Sequence, residues 1–292
     1  MAAKAAHNQA TTGRATSCCR RSLQGIRVGL VSLVSAMPLF FACGPHRDRG
    51  AIASPDPERE SVAEYDIAKD LFLNRRQPRE ALSHVLKALE LDDENADAEH
   101  LAALIYLYFC AASTGECRLS DAEKHARRAV ELKKDFREAS NTLGVVLVHE
   151  KKYDEAIAVL EPLANDILYA TPETAWGNLG WAYLLKGDAD KAVESLQRSV
   201  ALQPEFCVGA YRLGLAFEKK GDDKAARDAF SRALETDRRE CKQMQDAFRE
   251  RGRVALRLGD REAARADLER CRSLAGETQA GKECAAMLAT ME

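Results

Sequence analysis

From about residue 61 to the C-terminus, apolar residues recur at steps of three and four, the period of a helix with one buried face. Tyr65, Ala68 and Phe72 make one such stripe, and Ala81, Val85 and Ala88 make the next. Short polar breaks containing Gly, Asn or Asp separate the stripes, and β-branched runs are scarce. The pattern predicts an all-α chain of short amphipathic helices.

The stripes repeat at a longer interval. Residues 176 to 183 read W-G-N-L-G-W-A-Y, followed by Ala192, Leu196 and Pro204. This is similar to the tetratricopeptide signature, with Leu196 in place of the usual aromatic. Leu213-Gly214, Phe217, Gly221, Ala226, Phe230 and Ala233 fall at the same offsets one repeat later. Leu143-Gly144, Leu147, Ala156 and Leu160 mark an earlier copy. Leu101, Leu104, Tyr108, Ala122, Ala126 and Ala129 mark another, with an insertion of about five residues between its helices. A first copy runs through Tyr65 to Ala88. A sixth contains Phe248, Gly252, Gly259, Ala264 and Leu268, with Arg251 where Leu is expected. The expected repeats lie near 62–95, 98–136, 137–170, 173–206, 207–240 and 245–277, with a capping helix over 278–291. The fold expected is a right-handed superhelix of about six repeats, since no hairpin of this kind buries its apolar face alone.

The N-terminal stretch follows another pattern. Residues 1–27 are basic and polar, and 28–42 (VGLVSLVSAMPLFFA) are apolar but too short to span a bilayer comfortably. They read as a secretion signal. Cys43 follows the small residue Ala42, an arrangement that resembles a bacterial lipobox, although Phe40 and Phe41 depart from its pattern. The expectation is cleavage before Cys43, diacylglycerol on its thiol, and anchoring through acyl chains. Gly44 in place of Asp points to the outer membrane, with the body facing the periplasm. Residues 43–60, with Pro45, Pro55 and Pro57, read as a lipidated flexible tether.

Charge narrows the partners. The chain carries −3 overall; with the five cations of residues 1–42 removed, the remainder stands at −8. An acidic body argues against nucleic acid. The basic stretch from Arg238 to Arg272 reads as a salt-bridged solvent face.

Of nine cysteines, Cys18 and Cys19 leave with the signal and Cys43 takes lipid. Cys110, Cys117, Cys207, Cys241, Cys271 and Cys284 remain, an even set suited to an oxidising compartment. The repeat register puts Cys207 near Cys241 at one end of a hairpin and Cys271 and Cys284 on either side of a turn. Cys110 and Cys117 bracket the insertion. The sequence alone leaves the connectivity open. No spacing matches a zinc pattern, and His125 falls inside a repeat helix, so no metal or other cofactor is expected.

No hydrolase, Walker or dinucleotide motif appears, and Gly-Asp pairs at 187, 221 and 259 recur at the repeat's own turn. The chain therefore reads as non-enzymatic. Counting the groove-lining positions of each first helix gives Tyr106, Phe109, Val145, Val148, Trp181, Leu184, Tyr211 and Leu215 as exposed candidates. Apolar side chains on such a face imply a protein partner supplying a helix or strand.

The segment L-Y-A-T-P at 168–172, the repeat opening at Trp176 and the P-E-F-C of 204–207 resemble the type IV pilus pilotins of the PilF, PilW and especially Tgl type. The resemblance covers roughly residues 61 to 292; the long n-region and the insertion with Cys110 and Cys117 depart from it. It implies an outer-membrane lipoprotein, acylated at Cys43, that holds secretin subunits while they multimerise. A general periplasmic scaffold for envelope or peptidoglycan machinery is the alternative.

Overall fold

The computed structural model describes residues 56–112 and 115–291. The signal segment 1–42, the acylation site Cys43 and the tether as far as residue 55 lie outside the described residues. Among the described residues there are fourteen helices and no strand. They pair as antiparallel hairpins: α1 (Pro57–Leu73) with α2 (Pro78–Leu91), α3 (Ala96–Ala112) with α4 (Leu119–Leu132), and α5 (Arg137–His149) with α6 (Tyr153–Ala164). Next come α7 (Pro172–Lys186) with α8 (Ala189–Leu202), and α9 (Cys207–Lys220) with α10 (Asp223–Glu235). A short α11 (Arg239–Lys242) precedes α12 (Gln245–Arg257) and α13 (Arg261–Leu274), and α14 (Gln279–Ala289) closes the end. First helices of successive hairpins touch, α5 on α7 and α7 on α9, so they form one continuous layer. No described helix is long and apolar enough to cross a membrane.

Helix α1 begins at Pro57, inside the span expected to be tether up to residue 60. Proline at the first helical turn has no amide hydrogen to leave unpaired, and Glu58 and Glu60 sit where the helix dipole favours negative charge. Pro57, one of the prolines that suggested a flexible linker, therefore starts a helix.

The hairpin turns follow from two adjacent residues. Gly221 takes a left-handed conformation (φ 77°) at the end of α9, and Asp222 then accepts a hydrogen bond from the Ala225 amide at 3.0 Å to cap α10. Asp188 and Asp260 cap α8 and α13 in the same way. Within the third to sixth hairpins the two helices meet over a glycine: Gly144, Gly180, Gly214 and Gly252. A Cβ on Gly214 would lie 2.3 Å from Phe230, a fully buried ring, and one on Gly180 would lie 2.5 Å from Leu196. The long side chain of the second helix fills the space that the glycine leaves.

Where Arg251 replaces the expected leucine, its guanidinium grips Asp267 through two hydrogen bonds of 2.8 and 2.7 Å and also reaches Ser231. An ion pair thus stands in for an apolar contact. At the C-terminus, Thr278 caps α14, and its hydroxyl lies 2.7 Å from Gln245 Oε1. Gln245 in turn donates to the Cys271 carbonyl, which fastens the cap to α12 and α13.

Three disulfides are present: Cys110–Cys117, Cys207–Cys241 and Cys271–Cys284, with Cα separations of 4.0, 5.8 and 6.2 Å. The second joins the first residue of α9 to α11, and both of its cysteines are buried. Among the described residues no group of His, Cys, Asp and Glu is arranged to hold a metal ion. His125 instead pairs with Glu99 at 2.5 Å inside the second hairpin.

Gly214→Ala should destabilise the domain by about 1–3 kcal/mol through overpacking against Phe230, measured as a loss of urea resistance in far-UV circular dichroism. The double variant Cys207→Ser/Cys241→Ser opens a loop with a sequence separation of 34 residues. Chain entropy puts its cost on the order of 3–4 kcal/mol, to be read from the shift in thermal midpoint relative to the oxidised protein.

Candidate functional site

The layer of first helices carries a polar thread. Asn178 on α7 donates to Asn141 on α5 at 3.0 Å, and Arg212 on α9 donates through Nη1 to the Asn178 side chain at 2.9 Å. The same Nη1 reaches the Gly177 carbonyl at 3.1 Å. The guanidinium lies 5.3 Å from the centre of the Trp181 ring, within cation–π range. Three consecutive hairpins are thus stitched along one line.

Beside this thread, Leu184, Leu185 and Leu215 line an open hollow of about 670 Å³ with Glu218, Lys219, Asp223, Arg253 and Arg257. Leu185 is 40% exposed. The hollow has an aliphatic side and an ionic side. On the ionic side Glu218 accepts from Arg253 at 3.1 Å and Arg257 at 2.5 Å, and Arg257 also grips Asp223 at 2.7 Å. Arg253 further contacts Glu250, which pairs with Arg249. The hydrogen bond to Asp223 holds the Arg257 guanidinium above its ordinary pKa, with burial opposing and Glu218 assisting. These cations are neutralised in place.

Arg212 differs from them. Among the described residues no carboxylate lies within salt-bridge distance of it, and its bonds go only to neutral carbonyl oxygens. Burial lowers its pKa to about 10. On α5, His149 feels the same charge: burial and then the Arg212 cation hold its imidazole below the usual value. Tyr211 is half-buried, and desolvation pushes its phenol up to about 12.

The structure divides the residues expected to line the groove. Trp181, Leu184, Tyr211 and Leu215 are all partly exposed on α7 and α9, and Leu184 and Leu215 meet across the hollow. Val145 is partly exposed on α5. Val148 is not a groove residue: it is 4% exposed and belongs to the main core. Tyr106 and Phe109, each 7% exposed, are likewise buried. Tyr106 stacks on the His125 ring at 5.6 Å, and Tyr106 and Phe109 line a separate recess near Arg79, Leu82 and Glu116.

The cause is a register two residues away from the one expected for the second repeat. Asn95 accepts from the Ala98 amide and caps α3 eight positions before Ala103, as Phe136 precedes Gly144. Ala102 and Ala103 are therefore the close-approach pair, and Glu99 fills the position that holds Trp176 in the fourth repeat. A carboxylate at a site normally aromatic hid the alignment, and the buried bond to His125 is what makes it tolerable. Leu104, Leu107 and Tyr108, the last 46% exposed, occupy the open face instead. Arg212 was missed because an arginine in a helix reads as solvent-facing; only the capped interval from Phe206 to Gly214 marks its place.

Replacing Arg212 by Gln should raise the His149 pKa toward its ordinary 6.5, since one of its two depressing causes is removed. In the parent, native His149 binds its proton less readily than the unfolded chain does. That cost appears as the pH falls below 6.5 and is absent above it. An NMR titration of the imidazole protons in both proteins checks the shift.

Models of the tetratricopeptide repeat match residues 118–166, 173–206 and 210–237. The type IV pilus assembly protein PilF of Pseudomonas aeruginosa is 31% identical over 180 residues, which cover 61% of this chain and 67% of the relative. The crystal structure of PilW, described as a widely conserved type IV pilus biogenesis factor, superposes with a TM-score of 0.65 at 22% identity, over 76% of this chain and 96% of that one. The structure of Pseudomonas aeruginosa PilF gives 0.62 at 20% identity, over 79% and 99%.

Proposed function

Because the chain belongs to the PilF family of tetratricopeptide-repeat proteins, we propose that it is a non-enzymatic pilotin of type IV pilus biogenesis. In this reading the lipoprotein, acylated at Cys43 in the outer membrane and facing the periplasm, binds secretin subunits and promotes their multimerisation. The observation that carries the proposal is the hollow on the first-helix layer. Leu184, Leu185 and Leu215 present an aliphatic surface on rigid helices, while the neighbouring ions satisfy one another.

The physical role of the scaffold is to lower the cost of assembly. A subunit held on a membrane-anchored platform meets its neighbours at an effective concentration set by the tether and not by bulk diffusion. An aliphatic trough shields an apolar client segment from water until the next subunit buries it. Neither step needs bond chemistry.

Deleting the gene should reduce detergent-resistant secretin multimers while leaving the monomer level unchanged. Cys43→Ala should shift the protein out of the outer-membrane fraction and lower the multimer in parallel. Leu184→Asp/Leu215→Asp should reduce co-purification of secretin without loss of helicity. Immunoblots of density-separated membranes read all three, and undiminished multimers in the deletion strain would overturn the proposal.

A further inference from the structure

Most arginines on the first-helix layer are engaged by carboxylates. Arg249 faces Asp246, Glu250 and Glu283; Arg253 faces Glu218 and Glu250; Arg257 faces Glu218 and Asp223. Arg212 sits in the same layer with only Nη1 bonded, to two carbonyl oxygens. Its other N–H groups have no acceptor among the described residues. Arg212 is part-exposed, so these N–H groups stand open to an incoming anion at a place that also offers an indole face and two leucines.

We propose that Arg212 is a carboxylate anchor: the partner segment that lies over Trp181, Leu184 and Leu215 carries an aspartate or glutamate that pairs with its free N–H groups. The proposal rests on the reading that this layer takes a protein segment, and adds the chemistry of that segment.

Charge and geometry both select the occupant. A planar carboxylate matches the fork of a guanidinium through two parallel hydrogen bonds, and the pair is strongest where water is excluded. The Asn141–Asn178–Arg212 thread fixes the fork, so little side-chain entropy remains to be lost on binding. A polyanion is disfavoured, because Glu218 and Asp223 line the adjoining hollow and the chain beyond residue 42 is acidic. One acidic residue within an apolar stretch satisfies both halves of the surface.

The test uses the full chain in detergent and an array of short apolar peptides, each made in a Glu form and a Gln form at one scanned position. The parent should retain Glu peptides about tenfold more strongly than their Gln twins. Arg212→Gln should bind both forms alike, while Arg198→Gln, on α8 and outside the hollow, should keep the preference. Arg212→Lys retains charge without the fork and should keep only part of it; this variant serves if the Gln variant fails to fold, as circular dichroism will show. Equal retention of the two forms by the parent, no retention of any Glu peptide, or an undiminished preference without the guanidinium would overturn the assignment. Apolar peptides bound with no acid preference would reject Arg212 as an anchor and leave the scaffold reading intact. Secretin multimers that form without the protein would instead reject the scaffold reading, whatever the array shows.

Discussion

The whole domain depends on how closely two helices approach within each hairpin. At Gly214 the missing side chain lets α9 and α10 close until Phe230 lies where a Cβ would be, and Gly180 does the same for Leu196 between α7 and α8. That contact fixes the distance and angle inside a hairpin, and hence the surface it offers to the next one. Since the unit recurs, the curvature of the stack is a local decision made several times over. Stability is distributed accordingly: each hairpin buries its stripe only because its neighbours cover it.

One consequence is that the layer of first helices has little freedom left. Polar groups there bridge hairpins, as in the line from Asn141 through Asn178 to Arg212, or cancel in ionic clusters such as Glu218 with Arg253 and Arg257. The surface offered to a partner is therefore preformed. A preformed surface saves the ordering cost that a flexible one would incur on binding.

Much of the architecture was legible because its signals are steric. Leu-Gly followed by an aromatic, at a repeating interval, locates the fourth and fifth hairpins, since only a small residue fits between crossing helices. The second hairpin was misread where the rule is met by other means, with alanines at the crossing and a Glu99–His125 bond in place of an aromatic. That two-residue error put Tyr106 and Phe109 on the wrong face. Burial at Val148 depends on how the next hairpin leans, which a single repeat does not encode. Arg212 was invisible for a related reason: its significance lies in the carboxylate it lacks, and ion pairing between hairpins is written in three dimensions. The start of α1 at Pro57 shows the converse, in which a residue typical of linkers is equally suited to a first turn.

The bond between Cys207 and Cys241 also changes how the protein would bear a pull. A stack of hairpins stretched from its two ends ordinarily peels open one unit at a time, since only noncovalent contacts join the units. Here tension entering the fifth hairpin at residue 207 leaves at 241 through the sulfurs, bypassing α9 and α10. About 110 Å of chain is thereby withheld from extension. When the chain is pulled from its two ends, the segment bearing Tyr211, Arg212 and Leu215 therefore lies outside the path of the load.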